Sequence, residues 1–106
     1  MGPAPATAAE VTRAAPGELL ETALLITAIS KDRFTGTVLE LGADAGYRCA
    51  SATLSVAWPA SVPVVMGTID GVIPGAVIQA QGRLTASGRL EPRRLAILTG
   101  YIQLRS

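Results

Sequence analysis

The 106-residue chain contains no histidine. That removes every Ser–His or Cys–His nucleophile pair, every imidazole general base and every zinc site built on imidazole. Its single cysteine, Cys49, cannot close an internal disulfide or form a thiolate cluster. Charge is scarce too. Asp, Glu, Lys and Arg make up 16% of the residues and the net charge is +1, which excludes a charged disordered tail and a histone-like polycation. Aromatics number four: Phe34, Tyr47, Trp58 and Tyr101. The three aspartates, Asp32, Asp44 and Asp70, all fall at turn signals, where Asp bonds its own backbone, and no spacing matches a calcium loop. The run GTIDG at 67–71 lacks the lysine and following helix of a phosphate cradle. Cys49, beside Arg48 but with no base to activate it, reads as a small packing residue. The expectation is a non-enzymatic domain with no catalytic residue, no metal and no cofactor.

Membrane-spanning and secretory stretches are weak as well. The segment 22–30 ends in Ala28-Ile29-Ser30, faintly like a cleavage site, but Glu18 and Glu21 sit where a signal peptide wants apolar or basic residues. An uncharged window of 21 residues runs from Cys49 to Ile69 and is broken by Pro59 and Pro63, so a buried strand and a loop suit it better than a spanning helix. These patterns point to a soluble, cytoplasmic protein without a membrane partner.

What the chain does have is apolar substance, 49% of its residues. At this length roughly 65% of the unfolded surface can be buried, enough for one core and too little for two. Residues 1–17 hold three of the seven prolines and much alanine, and read as a flexible lead-in to a domain over 18–106. Beyond them, short β-branched and aliphatic runs alternate with turn signals, the pattern of an all-β barrel or sandwich. Five strands are expected. The first covers 20–29, although Leu19, Leu20, Ala23 and Leu24 also fit one face of a short helix. The second covers 33–41 and leads through the glycine-bounded loop 42–46 into the third, 47–58. There Ala50, Ala52, Leu54, Val56 and Trp58 point one way, and Cys49, Ser51, Thr53 and Ser55 the other. A connection over 59–74 should anchor through Val64, Val65, Met66, Ile69 and Val72. The fourth strand, 76–84, alternates Ile78, Ala80 and Leu84 against Gln79, Gln81 and Arg83. After a Ser87-Gly88 turn the fifth, 94–104, is apolar on both faces, as a strand covered on its outer side would be.

Three meandering strands, a longer connection and a closing hairpin are the strand economy of a small five-stranded antiparallel barrel of the oligonucleotide/oligosaccharide-binding (OB) kind. The run Pro74 to Leu84, PGAVIQAQGRL, resembles the fourth strand of many OB domains, where Gly-x-x-Val/Ile ends in Gly-x-Leu/Val. The segment from Gly88-Arg89-Leu90 to Tyr101-Ile102-Gln103-Leu104 is similar to the fifth strand of single-stranded-DNA-binding and tRNA-anticodon-type OB proteins, and Gly36-Thr37-Val38 resembles the Gly-x-Val of their second. The resemblance covers about residues 20–104 and implies an OB-like barrel that binds single-stranded nucleic acid. Some OB-like proteins hold haem or copper through His or Met; this chain has no His and only Met1 and Met66.

Charge distribution supports a basic surface. Residues 1–46 carry Arg13, Lys31 and Arg33 against six acids, whereas 71–106 carry Arg83, Arg89, Arg93, Arg94 and Arg105 against Glu91 alone. Arginine is the side chain best suited to phosphate forks and to stacking on bases. On this reading Arg83, Arg89, Arg93 and Arg94 meet phosphates from the closing hairpin, Tyr47 and Tyr101 offer stacking platforms, and Gln79 and Gln81 contact base edges. DNA and RNA fit equally. The blander reading makes the arginines a solvated hairpin tip and the glutamines a solvent-facing row. A third makes the domain a non-catalytic assembly subunit, a homo-oligomer or part of a larger complex, because a strand apolar on both faces usually meets a partner.

Overall fold

The computed structural model describes residues 5–58 and 61–105. Residues 1–4 of the expected lead-in, Pro59 and Ala60 of the expected connection, and Ser106 lie outside the described residues. The chain is mostly strand, with one small helix: α1 (Ala8–Arg13), β1 (Leu19–Ile29), β2 (Arg33–Leu41), β3 (Tyr47–Ala57), β4 (Val64–Val65), β5 (Val77–Leu84) and β6 (Arg89–Ile97). All six strands share one sheet in the order β3-β2-β1-β5-β6-β4. In addition, β3 pairs in parallel with β6 through Ser55↔Arg89 and Val56↔Leu90, so the hydrogen-bonded order returns on itself.

Alternation explains the strands. On β1, Leu20, Thr22, Leu24 and Ile26 are buried on one face, and β1 pairs antiparallel with both β2 and β5. The helical option for this segment is therefore ruled out: a helix would leave the inward even-numbered row without its two partner strands. Phe34 and Val38 of β2, Leu54 and Val56 of β3, Ile78 and Ala80 of β5, and Leu90 and Leu95 of β6 complete the inner cluster. Phe34 meets Trp58 edge to face at 5.9 Å, which keeps both rings in the packing rather than on the surface.

Several expectations need correction. The sheet has six strands instead of five, because Val64 and Val65 pair in parallel with Leu95 and Ala96. The last long strand is Arg89–Ile97 rather than 94–104. The turn explains the shift: Thr85 N–H donates to the Arg89 carbonyl at 2.8 Å and Gly88 takes φ +81°, so pairing resumes at once. Beyond Ile97 the chain turns at Gly100, φ +86°, and only Leu104 bridges back, to Tyr47. The apolar residues on the far side of that segment are accounted for by a second cluster. Leu98 joins Ala23, Leu39 and Val77 on the outer face, with Tyr47, Ala96 and Ile102 against them. Of the connection's expected anchors Val72 is buried, whereas Met66 and Ile69 are 49% and 45% exposed.

Part of the lead-in, around Val11, packs against the core. Thr7 and Glu10 form a reciprocal capping box: the Thr7 hydroxyl accepts from Glu10 N–H and the Glu10 carboxylate accepts from Thr7 N–H. Glu40 of β2 accepts from Ala8 N–H at 2.7 Å, and Val11 packs into the inner cluster. A six-residue helix is marginal alone, so these contacts with the sheet hold it.

Two substitutions test this packing. Thr22 is fully buried on the inner row and its hydroxyl has no partner among the described residues, so Thr22→Val should raise stability by about 1 kcal/mol in urea denaturation. A Cβ on Gly82 would overlap the Glu91 carbonyl oxygen and lie 2.9 Å from Pro92 Cα, so Gly82→Ala should cost about 3 kcal/mol. Alanine at Gly88, where nothing lies within 4 Å, serves as the control and should cost only about 1 kcal/mol, for its positive φ.

Candidate nucleic-acid interface

The outward face of β5 carries Gln79, Gln81 and Arg83, alternating with buried Ile78, Ala80 and Leu84. Register places their neighbours. Gln81 lies opposite Glu21 on β1 and Arg94 on β6, Gln79 opposite Ala23 and Ala96, and Arg83 opposite Leu19 and Glu91. Glu21, Gln79, Gln81 and Arg94 line a groove of about 300 Å³ together with Val65, Met66, Ala96 and Leu98. Within it the Gln79 amide donates to the Glu21 carboxylate. Met66, at the rim, holds a left-handed backbone with φ +59°, uncommon for a side chain of its size.

The arginines divide according to this register. Between Gln81↔Arg94 and Gly82↔Pro92 the pairing slips by one residue, so Arg93 is the extra residue of a bulge, and both Arg93 and Arg94 are exposed. Neither joins an ion pair among the described residues. Arg83 follows in the same outward row and donates to the Gly17 carbonyl at 2.8 Å. Arg89 departs from the group: it begins β6 beside β3 and pairs with Asp32 at 3.6 Å. Arg105 is drawn away too, joining Arg48 on Asp44 at 3.6 Å and 3.1 Å.

The tyrosines do not form a shared platform with these residues. Tyr47 is half-buried against the outer cluster, its N–H donating to the Gln103 carbonyl and its carbonyl accepting from Arg105 N–H. Tyr101 is 67% exposed but sits past the end of β6, in the turn where its N–H donates to Leu98. Cys49, expected as a packing residue, is exposed on β3 because it falls on the hydroxyl-rich outward row. Among the described residues no group of three or more Cys, Asp or Glu side chains is placed to hold a metal ion, and no helix is long and apolar enough to cross a membrane.

Glu21, Val65, Met66, Ala96 and Leu98 line the groove without having been expected as site residues, Val65 and Met66 having been read as anchors of the connection. For Glu21 a signal existed: an acid between Leu19, Ala23 and Leu25 on the outward row of β1 has to be facing something polar. Val65 and Met66 reach the groove only because β4 pairs with β6, a contact no local pattern announces.

No protein family, curated protein or solved structure matches this chain. The site therefore has to be read from its own chemistry.

Two carboxylates are held below their usual range. Thr7 N–H and hydroxyl donors keep Glu10 below 4.5, and the Arg48 guanidinium, then Gly46 N–H, keep Asp44 below 3.8. A lowered folded pKa adds stability above the unfolded value and loses it as the pH falls through the folded one. Asp44→Asn should therefore lower the melting temperature at neutral pH, and the gap from wild type should close as the pH falls below 3.8. Thermal melts across that range check it, and a gap of constant size would refute the ion-pair account.

Proposed function

We propose that the chain is a non-catalytic, OB-like closed barrel that binds single-stranded nucleic acid on the outward face of β5 and β6, acting in the cytoplasm. The parallel β3–β6 pairing supports the barrel, since it joins the two ends of the five-strand order β3-β2-β1-β5-β6. The convergence of Gln79, Gln81 and Arg94 on one groove, with Arg93 thrust out beside it by the bulge, carries the functional reading. In it Arg83, Arg93 and Arg94 meet phosphates, Gln79 and Gln81 meet base edges, and Tyr101 is the ring free to stack. Arg89, held by Asp32, and Tyr47, packed on the outer cluster, have lesser parts. With one exposed ring, stacking adds little, so affinity is weak to moderate and set by salt.

An assembly subunit, homo-oligomeric or within a larger complex, is the second reading. It is favoured by Met66, Ile69 and Ile73, each 45% or more exposed along one connection, next to an apolar hollow formed by Ile73, Pro74, Ala76 and Ile97.

Fluorescence anisotropy with labelled single strands at about 50 and 200 mM salt separates the two. Three phosphate contacts at about 0.7 counterions each predict a log–log slope near −2, and Arg93→Ala with Arg94→Ala should reduce it by about 1.4. Absence of binding at about 100 µM protein would overturn the nucleic-acid reading. Concentration-dependent sedimentation would then support assembly.

A further inference from the structure

The groove on β1, β5 and β6 has an ordered chemistry across it. Glu21, Gln81 and Arg94 are register partners on three neighbouring strands, so an acceptor, an amide and a cation stand on one rung. With strands about 4.8 Å apart the rung spans roughly 10 Å. The Gln79 amide fixes the Glu21 carboxylate from the next rung and uses one of its roughly four acceptor sites. Met66 and Leu98 supply an apolar wall. At about 300 Å³ the groove lies at the low end of small-molecule sites, a size for one flat heterocycle rather than a stacked pair.

From this order we infer that the groove is a guanine-selective base site, an inference that rests on the nucleic-acid reading above and names the base. An ionised carboxylate only accepts, so it is matched by two adjacent donors. Guanine alone among the common bases presents N1–H and the N2 amino group side by side on its Watson–Crick edge. Adenine and cytosine place a lone pair beside their amino group, and thymine and uracil flank one N–H with two carbonyls. Each of those sets an acceptor against Glu21. Guanine O6, next to N1–H, then falls to the Gln81 amide, and N7 with O6 is the edge that arginine forks best, so with a guanine in the groove Arg94 turns from a phosphate to this edge while Arg83 and Arg93 keep theirs. The order of the base's edge, two donors and then acceptors, follows the order of the rung from β1 to β6. Met66, held in its left-handed conformation at the rim, covers a ring face with a polarizable thioether.

The test uses ten-nucleotide single strands of thymidine, unbroken or with one central guanine, adenine or cytosine, titrated by anisotropy. In parallel, guanosine and adenosine monophosphates are titrated against the Met66 methyl resonance. The guanine strand should bind about tenfold more tightly than the other three, and Glu21→Gln should bring that ratio close to one. Guanosine monophosphate should shift the Met66 methyl and adenosine monophosphate should not. Four strands binding within twofold of one another, with no selective methyl shift, would overturn the guanine site and leave single-strand binding standing. A selective shift without binding of any strand would support the guanine site for a free nucleotide and overturn the single-strand reading. Neither binding nor shift would overturn both.

Discussion

How the outward row on β5 and β6 is arranged depends on how tightly the sheet curls behind it, and the curl rests on two inward positions with no side chain. At Gly36 a Cβ would lie 2.9 Å from both Leu24 Cβ and the Leu25 carbonyl oxygen, so β2 closes on β1 only without one. Gly82 does the same for β5 on β6, where the Glu91 carbonyl occupies the space. With both approaches made, the sheet curls tightly enough for Phe34, Leu24, Ile26, Ile78, Leu90 and Leu95 to pack behind it with no more than 1% exposure each. Close packing of this kind admits few alternative arrangements. The bulge that sets Arg93 apart from Arg94 is the other side of the same approach, since it occurs where Gln81 gives way to Gly82.

The outer face is divided between folding and whatever else the domain does. Residues 98–105 cross back over β1, β2 and β5, and Leu98 and Ile102 cover Ala23, Leu39 and Val77. Tyr47 and Arg105 tie the far end of this segment through backbone hydrogen bonds, and Asp44 adds two surface ion pairs, each of small individual weight. This cover buries Ala23 on the outer face of β1 and leaves the ends of that face exposed. What stays open is the polar strip from Glu21 to Arg94, bordered by the exposed Met66.

Much of this was legible in the sequence, and the misses have local causes. The period-two alternation placed the ends of β1, β2, β3 and β5 to within a residue, because each has one face buried and one wet. The polar row Gln79, Gln81 and Arg83 was visible for the same reason. β6 was misplaced because Leu95, Ile97 and Leu98 belong to two different clusters, so an apolar run straddles the end of a strand and hides it. Helix α1 carries its capping box openly as Thr7-x-x-Glu10, but six residues show too little helical period to outweigh the alanine and proline around them. The groove needed knowledge of pairing across strands that are 58 residues apart in sequence, as Glu21 and Gln79 are, and no local pattern contains it.

The parallel seam between β3 and β6 also bears on how the chain folds. Residues 55 and 89 must meet before the ring closes, with β4 and β5 laid down between them. Contacts this distant in sequence slow folding, because loop closure is paid for before the contact forms. Until β6 is made, the β3-β2-β1-β5 sheet has two unpaired edges, on β3 and β5, and Phe34, Val38 and Leu54 lack the Leu90 and Leu95 of their cluster. On the ribosome that interval is the protein's most aggregation-prone state. It ends when the Arg89-Leu90 step docks against Ser55 and Val56, and the emerging chain then loses both free edges at once.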